Sequence, residues 1–241
     1  MNCTLDCEEC LHELCMHKVP LFASLTYEEL KSMADHMVCC TYEKGERLLN
    51  QGDVPQSFTV ILEGRAKVCT FTADGREKIL SILSEGDYFG ELHLFGNRHS
   101  AYSVESLQPV KAWSFSRIQF RELLTSFPNM AVQLLEELGN RVIQLENVLQ
   151  SSMNGRVDAR IAALLLEFSQ KYGVEGPDGP EIELPLSREG MANYLGIARE
   201  TMSRKLKQME GKGLLLSYGN KRIRLVDPDQ LAKIAMGNGE E

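Results

Sequence analysis

The sequence predicts an α+β chain in two parts: an N-terminal antiparallel β-roll, then a long helix leading to a C-terminal winged helix-turn-helix. Three observations predict it. Short β-rich runs punctuated by glycine fill the first half, and one long leucine-spaced stretch follows. Then Leu186 to Leu206 reads LSREGMANYLGIARETMSRKL, two helical patterns hinged on one glycine. The expected domains are 1–20, a cysteine-rich sensor segment; 21–127, the roll; 128–154, a dimerisation helix; and 155–241, a reading head. With 241 residues, 43% hydrophobic and 25% charged, the chain has the composition of an ordinary globular protein with room for two small domains. No run approaches a membrane span, and MNCTLDCEEC is acidic and cysteine-rich rather than basic then apolar. No signal peptide and no membrane partner are therefore expected, and the expected location is cytoplasmic.

The first element is the N-terminal segment with Cys3, Cys7, Cys10 and Cys15, spaced Cys-x3-Cys-x2-Cys-x4-Cys. Four soft ligands this close suit a metal centre, because thiolates bind iron–sulfur clusters or zinc. A reducing cytosol argues against structural disulfides among the seven cysteines. An iron–sulfur cluster, structural zinc, a thiol–disulfide switch and no function all stay open at this point. His12 and His17 flank the set, but histidines near a terminus are more often solvated than ligating. Thr26 to Met37 then has Leu30, Met33, Ala34 and Met37 at helical spacing, an entry helix.

From about Glu43 the period changes. The runs Phe58-Thr-Val-Ile-Leu, Ala66-Lys-Val-Cys-Thr-Phe and Ile79-Leu-Ser-Ile-Leu are separated by Gly45, Gly52, Gly64, Asp74-Gly75, Gly86 and Gly90, the pattern of a compact roll up to Phe115. Cys39, Cys40 and Cys69 fall in or beside these runs and read as buried structural thiols. Pro128 opens a long helix to Met153, in which Leu135, Leu138, Val142, Leu145 and Leu149 step by three and four. That seam calls for a partner helix, most simply the same helix of a second chain, and another face can pack on the roll. After Asn154-Gly155 a new helix, Val157 to Tyr172, buries Ile161, Leu164, Leu165 and Phe168, and Gly173 to Pro180 is a loop.

In the head, Met191, Tyr194 and Leu195 form one buried side, Gly196 the turn, and Ile197, Met202 and Leu206 the second buried side. Arg199, Glu200, Ser203 and Arg204 remain outward, and positions 200, 203 and 204 share a face that fits a major groove. Arginine can fork onto guanine O6 and N7, glutamate can accept from cytosine N4, and serine can lie on a thymine methyl. Ser187 is a candidate N-cap. Leu214 to Tyr218 and Lys221 to Val226 flank Gly219-Asn220 as a hairpin wing. The whole chain carries a net charge of −8, yet Leu186 to Leu225 holds nine basic residues against three acidic ones. Lys221 and Arg222 of the wing are therefore expected to meet phosphates, and Lys205 is expected to bind DNA as well. Double-stranded DNA is the expected partner. No nucleophile elbow, phosphate loop or zinc-hydrolase motif is present, so an enzyme is not expected.

This order of elements, with Gly86-Asp-Tyr-Phe-Gly-Glu-Leu and Arg199-Glu-Thr-Met-Ser-Arg, resembles the CRP/FNR family of bacterial transcription regulators over nearly the whole chain. The resemblance implies a cyclic-nucleotide-domain-like (cupin-like) roll, a homodimer on an inverted repeat, and RNA polymerase as a further partner. Glu200, Ser203 and Arg204 reproduce the Glu-x-x-Ser-Arg set of the FNR branch, which implies TTGA half-sites. Arg199 stands where the CRP branch aims an arginine at guanine, so a TGTGA-like half-site stays open. In FNR-like proteins an N-terminal cysteine group supplies three ligands to an oxygen-labile [4Fe–4S] cluster and the roll supplies a fourth. Here that roll position is Trp113, so the fourth ligand is expected from Cys3, completing the set Cys3, Cys7, Cys10 and Cys15, or from Cys39, Cys40 or Cys69. The implied signal is oxygen, nitric oxide or redox state. Cyclic nucleotide binding is the alternative: Gly90, Glu91 and Leu92 are present, but His99-Ser100 replaces the phosphate-binding Arg-Ser pair and Arg98 is one place early.

Overall fold

In a computed structural model of the protein, residues 19–23, 25–34, 37–72, 74–91, 99–153, 157–177 and 179–237 are described, and the side chains of residues 27, 32, 34, 141 and 144–153 are not. Cys3, Cys7, Cys10, Cys15, His12, His17, Leu92 and Arg98 lie outside this set. The chain divides into two compact units, residues 1–142 and 143–241. The division falls inside the long helix rather than after it.

The first unit opens with a 3-10 turn, Pro20–Phe22, and helix α1, Tyr27–Ala34. The entry helix expected to reach Met37 stops three residues earlier because Met37 begins strand β1, Met37–Tyr42. There it pairs with Phe115, and the ladder continues through Cys39↔Trp113 to Tyr42↔Val110. Long-range pairing overrides helical spacing at this point. The remaining strands are β2 (Arg47–Leu49), β3 (Ser57–Glu63), β4 (Ala66–Phe71), β5 (Glu77–Leu83), β6 (Tyr88–Phe89), β7 (Ser103–Ser106) and β8 (Val110–Ser116). They form two antiparallel four-stranded sheets, ordered β1-β8-β3-β6 and β2-β7-β4-β5. Gly64 joins β3 to β4 across the two sheets with φ of 91°, a value that glycine tolerates without a Cβ clash.

The first sheet is buried on both faces. Ile61, Val110 and Ala112 point inward to meet Ala66, Val68, Leu83 and Val104 of the second sheet. Phe58, Val60, Trp113 and Phe115 point outward and are covered by helices. This double burial explains why Phe58 to Leu62 reads as a continuous apolar run instead of alternating. The cover comprises Val19, Leu21 and Phe22 of the 3-10 turn, Leu30 and Met33 of α1, and Phe120 and Leu123 of helix α2 (Arg117–Ser126). The Phe58 and Phe120 rings stack with centroids 3.9 Å apart. Sequence spacing gave no α2; a Ser116–Gln119 capping box starts it, with Ser116 Oγ accepting from the Gln119 amide at 3.3 Å.

Helix α3, Pro128–Met153, shows two faces. Met130 and Leu134 are buried in the roll core, and Leu138 packs against it. Leu138, one of the seam positions, is half-buried against its own roll, because it continues the four-residue step from Met130 and Leu134. Val132, Leu135, Val142 and Ile143 are exposed, Leu135 at 68%. Leu145 and Leu149 belong to the helix, but their side chains are outside the described set. No helix among the described residues is long and apolar enough to cross a membrane.

Candidate nucleic-acid interface

The second unit is built on helix α4, Val157–Tyr172, which buries Ile161, Ala162, Leu164, Leu165 and Phe168. Helices α5 (Arg188–Leu195) and α6 (Arg199–Gly211) form the helix-turn-helix. Ser187 caps α5 as expected, its Oγ accepting from the Gly190 amide at 3.1 Å. The turn closes as a Schellman motif. The Gly196 amide donates to the Asn193 carbonyl at 3.3 Å and the Ile197 amide to Ala192 at 2.9 Å, with Gly196 at φ 63° and ψ 39°. Arg160 of α4 donates to the Leu195 carbonyl and so ties down the end of α5.

Met191, Ala192 and Leu195 meet Met202, Leu206 and Met209 on the buried side. Ile197 and Tyr194 are half-buried. Tyr194 packs near the Phe168 ring with centroids 6.4 Å apart, and burial pushes its phenol up to about 12. Burial likewise raises the Glu167 carboxyl, with Lys171 opposing it.

On the opposite side, Arg199, Glu200 and Arg204 are exposed and Ser203 is half-exposed. Among the described residues Arg199 and Arg204 make no ion pair. Lys205, a further candidate for DNA contact, has its Nζ 2.9 Å from Asp158 Oδ2 at the start of α4. Nothing in local spacing signals this contact, since the partners are 47 residues apart.

The wing forms as expected from β11 (Leu215–Tyr218) and β12 (Arg222–Leu225), joined through Gly219, Asn220 and Lys221. They extend a sheet ordered β11-β12-β10-β9, with β9 at Gly173–Val174 and β10 at Glu181–Glu183, two strands within and after the expected loop. Lys221 and Arg222 are exposed. Arg224 is held internally, 2.7 Å from Glu181 and over the Tyr218 ring. Helix α7, Pro228–Ala235, closes the unit, capped by Asp227.

No group of three or more His, Cys, Asp and Glu side chains converges to hold a metal among the described residues. Trp113 is 1% exposed. Cys39 and Cys69 are buried and Cys40 is half-buried; burial and Glu77 push the Cys69 thiol up to about 11. At the edge of the roll, His99 Nδ1 lies 2.7 Å from the Gly52 carbonyl, and Ser100 Oγ donates to the Tyr102 carbonyl at 2.7 Å.

Residues 39–127 match the cyclic nucleotide-binding domain family, and residues 159–234 match the Crp-like helix-turn-helix domain family. Among curated relatives, the transcriptional activator protein anr of Pseudomonas aeruginosa is 30% identical over 97% of this chain and 94% of its own. The CRP-like cAMP-activated global transcriptional regulator of Mycobacterium tuberculosis is 25% identical over 89% of this chain and 96% of its own. In fold, the chain is similar to FixK2 from Bradyrhizobium japonicum, with a TM-score of 0.73 and 22% identity over 82% of this chain and 96% of that one.

Proposed function

Since the chain belongs to the CRP/FNR family of transcription regulators and carries its DNA-binding helix-turn-helix, we propose that it reads TTGA-like inverted repeats as a homodimer under the control of an N-terminal [4Fe–4S] cluster. The observation that carries the DNA reading is the outward face of α6, where Glu200, Ser203 and Arg204 stand clear of a core fixed by Met202, Leu206 and the Schellman turn. Arg204 forks onto guanine, Glu200 accepts from cytosine N4, and Ser203 meets a thymine methyl. Lys221 and Arg222 of the wing hold phosphates. Val132, Leu135, Val142 and Ile143 form the apolar stripe on α3 that meets the partner helix, setting the two heads about 34 Å apart, one turn of DNA. RNA polymerase is the further partner if the chain activates transcription.

For the effector, the chemistry of the donor set supports Cys3, Cys7, Cys10 and Cys15 as the four ligands. Trp113 fills the position of the family's roll ligand with a buried indole, and Cys39 and Cys69 are locked in the core. When bound, such a cluster supplies a centre that oxygen or nitric oxide dismantles. Val19, Leu21 and Phe22, just after the cysteines, pack in the same apolar cluster as Trp113. Zinc or a thiol–disulfide switch would use the same four sulfurs.

An anaerobic visible spectrum with iron and sulfide analysis tests this reading. The expected result is a broad shoulder at about 400 nm that bleaches in air, with about four irons per chain. Colourless, iron-free protein that binds its operator fully would refute the cluster.

A second reading, a small molecule or cyclic nucleotide in the roll, is favoured by the match of residues 39–127 to the cyclic nucleotide-binding family. The engaged His99 ring and Ser100 hydroxyl weigh against a phosphate there. Saturable binding of cAMP or cGMP by colourless protein would favour it.

A further inference from the structure

We infer that Asp158 sets the sequence-independent, salt-dependent part of DNA affinity, acting through Lys205; the inference rests on the reading of α6 as the groove-inserted helix. Lys205 follows Arg204 on α6, yet its ammonium is held 2.9 Å from the Asp158 carboxylate, with the two side chains only 24% and 37% exposed. Asp158 lies in the first turn of α4, where the helix N-terminus favours a carboxylate. Arg160, two residues on, bonds the end of α5. The start of α4 therefore grips both helices of the reading motif.

The consequence is electrostatic. A cation already neutralised by a carboxylate has no phosphate to neutralise and releases no counterion when DNA binds. Pairing thus removes Lys205 from the sequence-independent part of the affinity, while Arg204 beside it stays available to a base edge. A contact to phosphate strengthens binding to every sequence, so holding Lys205 back lowers affinity on any duplex and flattens its salt dependence. Asp158 does this without touching DNA, as a positioning residue.

The test titrates a short random-sequence duplex, and one carrying inverted TTGA half-sites, with the full-length protein across a range of salt. Asp158→Asn releases Lys205. The plot of log affinity against log salt on random DNA is expected to steepen by about 0.9 per chain, and binding at about 0.1 M salt to tighten several-fold. Asp158→Glu keeps the wild-type slope, which separates charge from folding. Lys205→Gln with Asp158 in place leaves the slope nearly unchanged, and the double variant Asp158→Asn/Lys205→Gln returns it to the wild-type value. A slope that drops by about 0.9 on Lys205→Gln alone identifies Lys205 as a phosphate contact and overturns the inference. So does an unchanged slope in Asp158→Asn, or a double variant that stays steep. If the wild-type protein binds neither duplex, the DNA reading itself fails; if it binds and only these variants behave otherwise, the inference alone falls.

Discussion

The roll pairs several of its cations, while the reading head, among the described residues, leaves those on its outer face and wing tip unpaired. In the roll, Lys67 sits between two carboxylates, 2.6 Å from Glu77 and 3.0 Å from Glu105, Lys111 lies 3.1 Å from Glu63, and Arg76 lies 2.9 Å from Asp74. In the head, Arg199, Arg204, Lys221 and Arg222 make no ion pair among the described residues, while Lys205 and Arg224 are paired inward. Burial alone would lower the Lys67 ammonium, but its hydrogen bonds to Glu77 and Glu105 outweigh that and raise it. Density of basic residues along the chain therefore does not by itself identify a phosphate surface. Pairing marks the cations that are already neutralised within the fold.

The largest effect expected on the roll side comes from its core rather than its charges. Trp113→Ala removes a side chain that is 1% exposed and should destabilise by about 3–5 kcal/mol. A shift in denaturant midpoint measures it. A change in the salt dependence of DNA binding in the same variant would blur the division of labour drawn above.

The second test uses pH. Burial pushes Tyr194 in the head up to about 12, and Tyr42 in the roll likewise, with Cys40 adding to it. An unfolded phenol ionises near about pH 10, so this stability is intact below that value and is lost as pH rises towards 12. The loss for Tyr194 is about 2 kcal/mol, and smaller for the more exposed Tyr42. Tyr194→Phe should remove the larger share, read from unfolding curves taken at rising pH.

On the DNA side, Arg204→Ala should cost about 1–3 kcal/mol on the specific site and little on random duplex. Equal losses on both would take Arg204 away from base edges. The contrast of cations is then sharpened by a pair of variants. Lys67→Met should destabilise the roll by about 1–2 kcal/mol by leaving Glu77 and Glu105 facing each other, with no change in salt slope. Lys221→Ala should leave stability alone and flatten the slope by about 0.9 per chain on any sequence.

Much of this architecture was legible from residue spacing. The helix-turn-helix is fixed by nearest neighbours: the three- and four-residue steps of Met191, Leu195, Met202 and Leu206, the cap at Ser187, and a glycine able to reach positive φ at 196. The wing follows from its turn residues in the same way. What spacing missed is instructive. Met37 carries a helical signal and joins a strand, because its partner Phe115 lies far along the chain. Spacing also did not signal that Leu138, on the seam, is half-buried against the roll, because steps of threes and fours describe the neighbouring face of the same helix as well.

By itself, then, the sequence determined the class of molecule: the two-part α+β plan, the reading helix with Glu200, Ser203 and Arg204 outward, and a dense group of thiols at the N-terminus. Only the tertiary structure decided which charges are available and that Cys40, unlike Cys39 and Cys69, stays half-exposed. Local propensity and turn chemistry act over a few residues, so a linear pattern carries them. Ion pairing and burial are set by groups that folding brings together. Asp158 neutralises Lys205 from 47 positions away, and Cys39 is closed over beside Trp113 by a strand pairing that no local period encodes.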